Sequence, residues 1–331
     1  MNVLVTGGAG YIGSHTVRDL LAAGFRVTVL DNLSSGHMAV ARILKDAEFI
    51  WGNISEIKLI SEIVRSHGIE AVLHFAALSI VGQSCADPAL YYRNNVVKGL
   101  TLLETVRLAG VPYFVFSSTA AVYGEPVRLP IEENHQLVPT NPYGATKLAF
   151  EEALRWYSAA YDIKYISLRY FNAAGADPAG DIGEDHRPET HLIPIALQTA
   201  LGRQRAVTVF GTDYQTPDGT CLRDYVHVTD LAAAHVLSLQ AMASGHPSCV
   251  YNLGNERGIS VWEIINSIKR ITGKNFPVVE GPRRSGDPAV LVASSSRIKE
   301  ELGWHPRYGD IETIISTAWE WHRNHPDGYS E

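Results

Sequence analysis

Apolar residues fall in short runs along the first half of the chain, with longer stretches of helical spacing between them. "NVLVTG" (2–7), "RVTVLD" (26–31), "AEFIWGNI" (47–54), "EAVLHFAA" (70–77), "PYFVFSSTAAVYG" (112–124) and "KYISLRYFNAAG" (164–175) concentrate β-branched and aromatic residues and read as strands. Helical patterns over 13–23, 56–67, about 88–109 and from "NPYGATKLAFEEAL" (141–154) onward separate them. Strands that alternate with helices predict an α/β chain with a doubly wound parallel sheet covered on both faces. Beyond 175 the rhythm breaks. Residues 176–192 are rich in Gly, Pro, Asp and His and read as a long functional loop. The last third mixes short elements ("AVTVFG", "CLRDYVHVTDLAAAHVLSLQAM", "SVWEIINSIKRITG") into a smaller α/β lobe packed against the sheet.

Composition narrows the function classes. The chain has 331 residues, enough for a large core, and its 46% apolar and 19% charged residues are those of a globular protein. A net charge of −7 argues against nucleic acid or an acidic membrane surface as partner. No apolar run is long enough to span a bilayer, and the N-terminus lacks a basic leader. Cys85, Cys221 and Cys249 are too scattered for a disulfide framework, and no cysteine pair has metal-ligand spacing. A reducing, cytoplasmic setting and no metal are expected.

The first chemistry-bearing motif is "TGGAGYIGS". Gly7, Gly10 and Gly13 follow the first strand and open the first helix. Glycines there let the backbone approach a pyrophosphate, while the helix N-terminus points its amides at the anion. Asp31 ends the second strand, 18 residues after Gly13, where a carboxylate can bond the ribose hydroxyls of an adenosine. It would repel a 2′-phosphate, so NAD is expected rather than NADP.

The second motif lies on the helix that opens at Pro142. Tyr143 and Lys147 stand one turn apart on one face. A phenol ionises near pH ~10. A nearby ammonium and a cationic nicotinamide ring would both lower that value, which makes Tyr143 the candidate base. "FSSTA" puts Ser117, Ser118 and Thr119 at a strand end, the edge where ligands bind in such sheets. A hydroxyl there can bond a substrate oxygen and relay its proton, or bond only local backbone.

With these motifs in place, the chain resembles the extended short-chain dehydrogenase/reductase family, and within it the 4-epimerases of UDP-glucose and UDP-galactose. The resemblance runs through "TGGAGYIGSH", "DNLSSG", "HFAA", "YYRNNV", "FSSTAAVYG", "PYGATK", "RYFNAAGA", "GEDH", "DGTCLRDYVHVTDLAAAH" and "GDPAVLVASSSR", nearly the whole length. It implies an NAD-binding Rossmann domain over 1–175, carrying the Tyr–Lys helix, and a UDP-sugar-binding lobe mainly over 176–331, with some segments returning to the sheet. It implies catalysis by Tyr143 and Lys147, with Thr119 at the relay position and Ser118 beside it. Gly7, Gly10, Tyr11, Ile12, Gly13, Asp31, Asn32, Ser35, Gly36, Asn53, Ile54, Phe75, Ala76, Ala77, Asn94, Ser117, Tyr143, Lys147 and Tyr170 would hold NAD. Thr119, Tyr143, Phe171, Asn172, His191, Leu192, Phe210, Arg223, Tyr225, Arg284, Asp287 and Leu291 would hold the UDP-hexose. Arginines suit that task, because a guanidinium offers a planar donor fork to a diphosphate.

The implied reaction is epimerisation at C4 through a transient 4-keto sugar, with the chain as a homodimer; the apolar helices near 95–109 and 144–160 either pair across its two-fold axis, as in relatives, or are buried within one chain. Three positions depart from the pattern. Ser79 stands where some relatives have lysine, Asn53 where some have aspartate, and His191 where an asparagine often meets the nucleotide. A 4,6-dehydratase would need an Asp-Glu pair, and a UDP-glucuronate decarboxylase a Glu, where this chain has Ala120-Ala121. A UDP-glucuronate 4-epimerase, a simple NAD-dependent dehydrogenase and a non-catalytic NAD sensor are the remaining alternatives. A sensor has no use for a base. In the related epimerases the position of Leu291 guards the sugar pocket: a tyrosine narrows it, and a smaller residue leaves room for a 2-acetamido group.

Overall fold

The computed structural model describes residues 1–284 and 286–330. Its strands are β1 (Asn2–Thr6), β2 (Arg26–Asp31), β3 (Glu48–Trp51), β4 (Ala71–His74), β5 (Tyr113–Thr119), β6 (Lys164–Tyr170), β7 (Asn172–Ala174), β8 (Val207–Phe210), β9 (Leu222–His227), β10 (Cys249–Leu253), β11 (Gly258–Ser260), β12 (Val278–Gly281) and β13 (Val290–Leu291). Seven of them form one parallel sheet in the order β10-β6-β5-β4-β1-β2-β3. The expected doubly wound α/β sheet is therefore present. Its order reverses beside β1, which opens the crevice where such sheets bind ligands.

Alternation along the strands covers both faces. Val3 and Val5 of β1 join the core made with helices Tyr11–Ala22 and Val228–Ala243. Leu4, between them, joins the opposite core, made with helices Ile57–His67, Gly99–Leu108 and Pro142–Ala160. A strand buried on both faces reads as a continuous apolar run, which is why these segments stood out in the sequence. The chain past 175 contributes to this sheet as well as to a lobe. Helix Val228–Ala243 covers one face and β10 extends the edge beside β6. The lobe has its own core, including Ile193, Leu197, Val209, Ile264, Ile268 and Ile314.

Two segments differ from their sequence reading. "KYISLRYFNAAG" is not one strand: β6 ends at Tyr170, and β7 pairs with β9 in a second sheet. Phe171 sits at the break, with its N–H donated to Leu253 O at 3.1 Å. The helical stretch near 88–109 is interrupted by a π-helical segment, Tyr92–Lys98. Asn95 within it turns inward, accepting from Leu78 N and donating to Leu78 O, each at 2.9 Å. Such π segments recur at functional sites because they re-aim a side chain.

Helix Pro142–Ala160 is fixed to the sheet by a buried ion pair. Glu151 accepts from Arg169 of β6 and from the Ser118 hydroxyl of β5, and both charged side chains are about 5% exposed or less. Tyr123 OH also accepts from Arg169, at 3.0 Å. Removing one partner of such a pair leaves an uncompensated buried charge, at a cost of roughly 3–5 kcal/mol. Glu151→Ala should lower stability by about that amount, read from the shift of the urea unfolding midpoint. A double change to Glu151→Leu with Arg169→Met should recover much of it.

Candidate active site

The C-terminal ends of the parallel strands open into one cavity of about 1160 Å³, which reaches into the lobe. That exceeds the ~300–1,000 Å³ of a pocket for one drug-sized ligand. At one end is the glycine turn. Gly7 has φ +77°, and a Cβ there would stand 2.7 Å from Ala76 N; a Cβ on Gly13 would stand 2.2 Å from Gly7 O. Neither position admits a side chain. Gly10 caps helix Tyr11–Ala22, whose first turn has neither a capping side chain nor an acid. Its free amide groups are a seat for an anion. Asp31 ends β2, buried, accepting from Ala9 N at 2.9 Å and Leu33 N at 2.8 Å. Burial raises its pKa, and these N–H groups oppose the rise. The residues present fit a dinucleotide.

Tyr143 and Lys147 line the same cavity beside Thr119, Ser117 and Asn94. Asn141 caps their helix by accepting from Gly144 N at 2.9 Å, and Pro142 occupies the first turn. Ser84 Oγ accepts from Tyr143 N at 3.2 Å. Burial pushes the Tyr143 phenol up to about 12, and a hydrogen bond from Thr119 opposes it. Lys147 is 3% exposed, and its Nζ donates to Ser117 O at 2.8 Å. Burial brings it down to about 7, against the pull of Glu151. Its Nζ lies 5.9 Å from the centre of the Tyr143 ring. The expected direct lowering of the phenol by this ammonium is therefore not what the chain by itself provides. The two groups share a face, but lysine is tied to the backbone.

The other end of the cavity is basic and aromatic. Arg284 lies over the Phe210 ring at 4.1 Å. Arg223 is paired with Asp287 across 64 residues and donates to Leu222 O at 2.7 Å. Its sequence neighbour Asp224 points elsewhere and accepts from Asn255, Glu256 and Ala293 backbone N–H groups. Phe171, Asn172, His191, Leu192, Tyr225 and Leu291 also line the cavity, whereas Val290 and Val292 do not.

Nearly all the residues expected at the site line this one cavity: Tyr11, Ile12, Asn32, Ser35, Asn53, Ile54, Phe75, Ala76, Ala77 and Tyr170 do so as well. Two do not. The Ser118 hydroxyl is 1% exposed and bonded to Glu151, because strand alternation turns it from the face that Ser117 and Thr119 reach. Gly36 is packed on the glycine turn instead, where a Cβ would stand 2.9 Å from Ala9 Cβ. Two features escaped the sequence reading. Glu151 lies four residues past Lys147 on the same helix, a spacing that was there to be seen. Glu184, His186 and Glu189 line the cavity with His191; the "GEDH" motif and the His-rich loop over 176–192 were their signals in the sequence.

The Lys147 shift fixes a pH dependence. Its folded value, about 7, lies below the ordinary 10.5. Below pH 7 both states are protonated and the full cost of the buried charge is present. Between 7 and 10.5 the unfolded chain holds more protons, so folding gains stability as pH rises. Above pH ~10 the Tyr143 phenol, pushed up to about 12, begins to act in the opposite sense. With bound nucleotide removed, the unfolding free energy of Lys147→Met relative to the parent should therefore fall as pH rises from about 7 to about 10, by up to about 4 kcal/mol. Urea titrations across that range measure it, and a pH-independent difference would show that Lys147 is not titrating there.

The profile of the NAD dependent epimerase/dehydratase family matches residues 3–254. A UDP-glucose 4-epimerase of Halalkalibacterium halodurans is 53% identical over 330 residues, covering 100% of this chain and 98% of that protein. A crystal structure of a UDP-glucose 4-epimerase superposes with a TM-score of 0.97 at 51% identity, covering 100% of both chains. The Bifidobacterium longum UDP-glucose 4-epimerase in complex with NAD+ and UDP superposes with a TM-score of 0.94 at 37% identity, over 99% of this chain and 100% of that one. With the glycine turn, the Tyr–Lys helix and the full-length match in agreement, the chain belongs to the NAD dependent epimerase/dehydratase family.

Proposed function

We propose that the protein interconverts UDP-galactose and UDP-glucose by NAD-dependent epimerisation at C4. The observation that carries this reading is the single continuous cavity. It joins an anion-ready glycine turn, a Tyr–Lys pair and an arginine-rich end, space enough for a dinucleotide and a nucleotide sugar together. The B. longum relative, which holds NAD+ and UDP, supports both ligands.

Gly7, Gly10 and Gly13 would seat the pyrophosphate of NAD, and Asp31 its adenosine ribose. Bound there, NAD supplies a reversible acceptor for the hydrogen and electron pair at C4 of the sugar. The chain's own groups handle the rest. Arg223, held by Asp287, and Arg284, laid on Phe210, grip the diphosphate. Thr119 bonds the 4-hydroxyl, and Tyr143 takes its proton as C4 is oxidised to the ketone. Lys147, whose Nζ donates to Ser117 O, would also hold the cofactor ribose. The proton and the electron pair return after the 4-keto sugar has turned its other face, so the net reaction is redox-neutral. Ala120 and Ala121 line the cavity where dehydration would need acid and base groups.

We also infer a homodimer and a reducing, cytoplasmic setting. The first is supported by Val97, Leu100 and Leu108, which share a surface groove with Ile57; the exposed Trp156 lies on the other expected helix. The second is supported by three free cysteines.

Purified protein should convert UDP-galactose to UDP-glucose with no net NADH formed, as resolved by chromatography. Tyr143→Phe should keep its NAD content and lose roughly 10²–10⁴ in rate. Stoichiometric NADH release, a 4-keto-6-deoxy product, or a phenylalanine variant within a few fold of the parent would each overturn the reading.

Leu291 extends it to the substrate's 2-position. It lines the cavity and is partly buried against the cluster of Ala120, Val122 and Phe171. Shorter than tyrosine, it leaves room for a 2-acetamido group. The protein should therefore also interconvert UDP-N-acetylgalactosamine and UDP-N-acetylglucosamine. Leu291→Tyr should depress kcat/KM for the acetamido sugar far more than for UDP-galactose. Equal acceptance by both forms would mean that another side chain shapes the pocket.

A further inference from the structure

Glu184, His186, Glu189 and His191 come from one eight-residue stretch, and each offers a ligand atom to one cluster. One atom from each lies within 4.8 Å of all the others. His186 Nδ1 and His191 Nδ1 stand 3.0 and 2.8 Å from the same oxygen, Glu184 Oε1. His191 Nδ1 is also 2.9 Å from Glu189 Oε1. A ring nitrogen carries at most one proton, so a single N–H at His191 cannot serve two carboxylate oxygens well. Glu189 Oε2 is buried with no hydrogen-bond partner, and lies 3.8 Å from His186 Nδ1. The Glu184 and Glu189 side chains are only 5% and 6% exposed. No lysine or arginine pairs with either carboxylate among the described residues.

Two buried carboxylates facing two imidazoles need positive charge. Protons on both histidines are one way to provide it. A cation among these atoms is the better one, because it meets both lone-pair nitrogens and both carboxylates and also gives the orphaned Glu189 oxygen a partner. The donor set is two nitrogens and two oxygens from four residues. That matches Zn²⁺ or a similar borderline cation; Mg²⁺ and Ca²⁺ favour shells of six or more oxygens.

We propose that Glu184, His186, Glu189 and His191 form a closed, four-ligand site for a Zn²⁺-class divalent cation in the wall of the substrate cavity. Four protein ligands leave no open position, so the role is structural. The metal would fasten the loop after β7 to the start of helix Leu192–Ala200, beside Tyr11, whose ring lies edge-on to His186 at 6.1 Å. It does not depend on which sugar the cavity takes.

The test is metal binding by the intact protein. After chelator treatment and dialysis, wild type should take up one equivalent of Zn²⁺ per chain and keep it through gel filtration, with excess Mg²⁺ unable to compete. Co²⁺ in its place should give the intense visible bands of a tetrahedral site, without the near-ultraviolet band of cobalt bonded to a thiolate. His186→Gln and Glu189→Gln should each weaken Zn²⁺ binding by at least about 10-fold, since even an outer-sphere partner is worth that much. Zn²⁺ should raise the Tm of wild type and leave that of His186→Gln/His191→Gln unchanged. Wild-type uptake no greater than that of the double variant would overturn the site. So would weak octahedral cobalt bands, or a thiolate band pointing to Cys85. The cobalt spectrum of wild type decides the matter even if the variants fail to fold.

Discussion

The ion pair between Glu151 and Arg169 is the interaction on which the site depends. Tyr143, Lys147 and Glu151 recur every fourth residue, so one helix face carries a phenol, an ammonium and a carboxylate into the sheet. Polar groups on a buried face are tolerated only when each has a partner. Glu151 finds Arg169 and Ser118, and Lys147 finds the carbonyl of Ser117. These bonds fasten the helix to the ends of β5 and β6 and set its register along them. Thr119, the next residue of β5, then meets Tyr143. The position of the Thr119 and Tyr143 hydroxyls thus follows from a charge pair that does not line the cavity.

The electrostatics of this face give the site a condition for activity. Burial raises the Tyr143 phenol to about 12 and lowers Lys147 to about 7, so the chain alone keeps the phenol protonated. A positive charge brought into the cavity next to both groups shifts the phenol toward its ionised form. A cationic nicotinamide is such a charge. In the proposed reaction, base strength at Tyr143 and the presence of the oxidised cofactor are then coupled, so proton abstraction is favoured only when there is also an acceptor for the electron pair. That coupling suits a reaction whose intermediate must not be stranded.

How legible these features were depended on how local they are. The glycine turn and the Tyr–Lys helix are contiguous motifs, and their placement along one cavity could be read from spacing. The parallel sheet was legible because strands buried on both faces leave apolar runs. The break at Phe171 was not, because "SLRYFNAA" carries no glycine or proline where the strand changes sheets. The π-helical turn at Tyr92–Lys98 stayed hidden for a similar reason: it keeps helical composition while moving Asn95 inward. Ser118 shows the limit of motif reading at one-residue resolution. In "FSSTA" three hydroxyls look equivalent, and only the pleat decides that the middle one faces Glu151. The pairing of Arg223 with Asp287, and not with the adjacent Asp224, is a tertiary fact spanning 64 residues.

The two ends of the cavity differ in chemistry, and the proposed inversion at C4 uses that difference. At the arginine-rich end, where the diphosphate is proposed to sit, Arg223 is paired with Asp287 and donates to the backbone of Leu222, and Arg284 rests on Phe210. Planar guanidinium groups held this way present their donors in one orientation and lose little further freedom when an anion arrives. Around the expected sugar position the Thr119 and Tyr143 hydroxyls stand beside Ala120, Ala121 and Leu291, whose side chains offer no hydrogen bonds. Apolar contact is non-directional, so it resists rotation of a sugar ring far less than a set of hydrogen bonds would. A substrate held at its diphosphate can then turn over without leaving. Strong polar contacts to the hexose would fix one face toward the electron acceptor and stop the reaction at the ketone. The few polar groups on this part of the wall suit the proposed epimerisation, alongside the proposed base and the glycine turn.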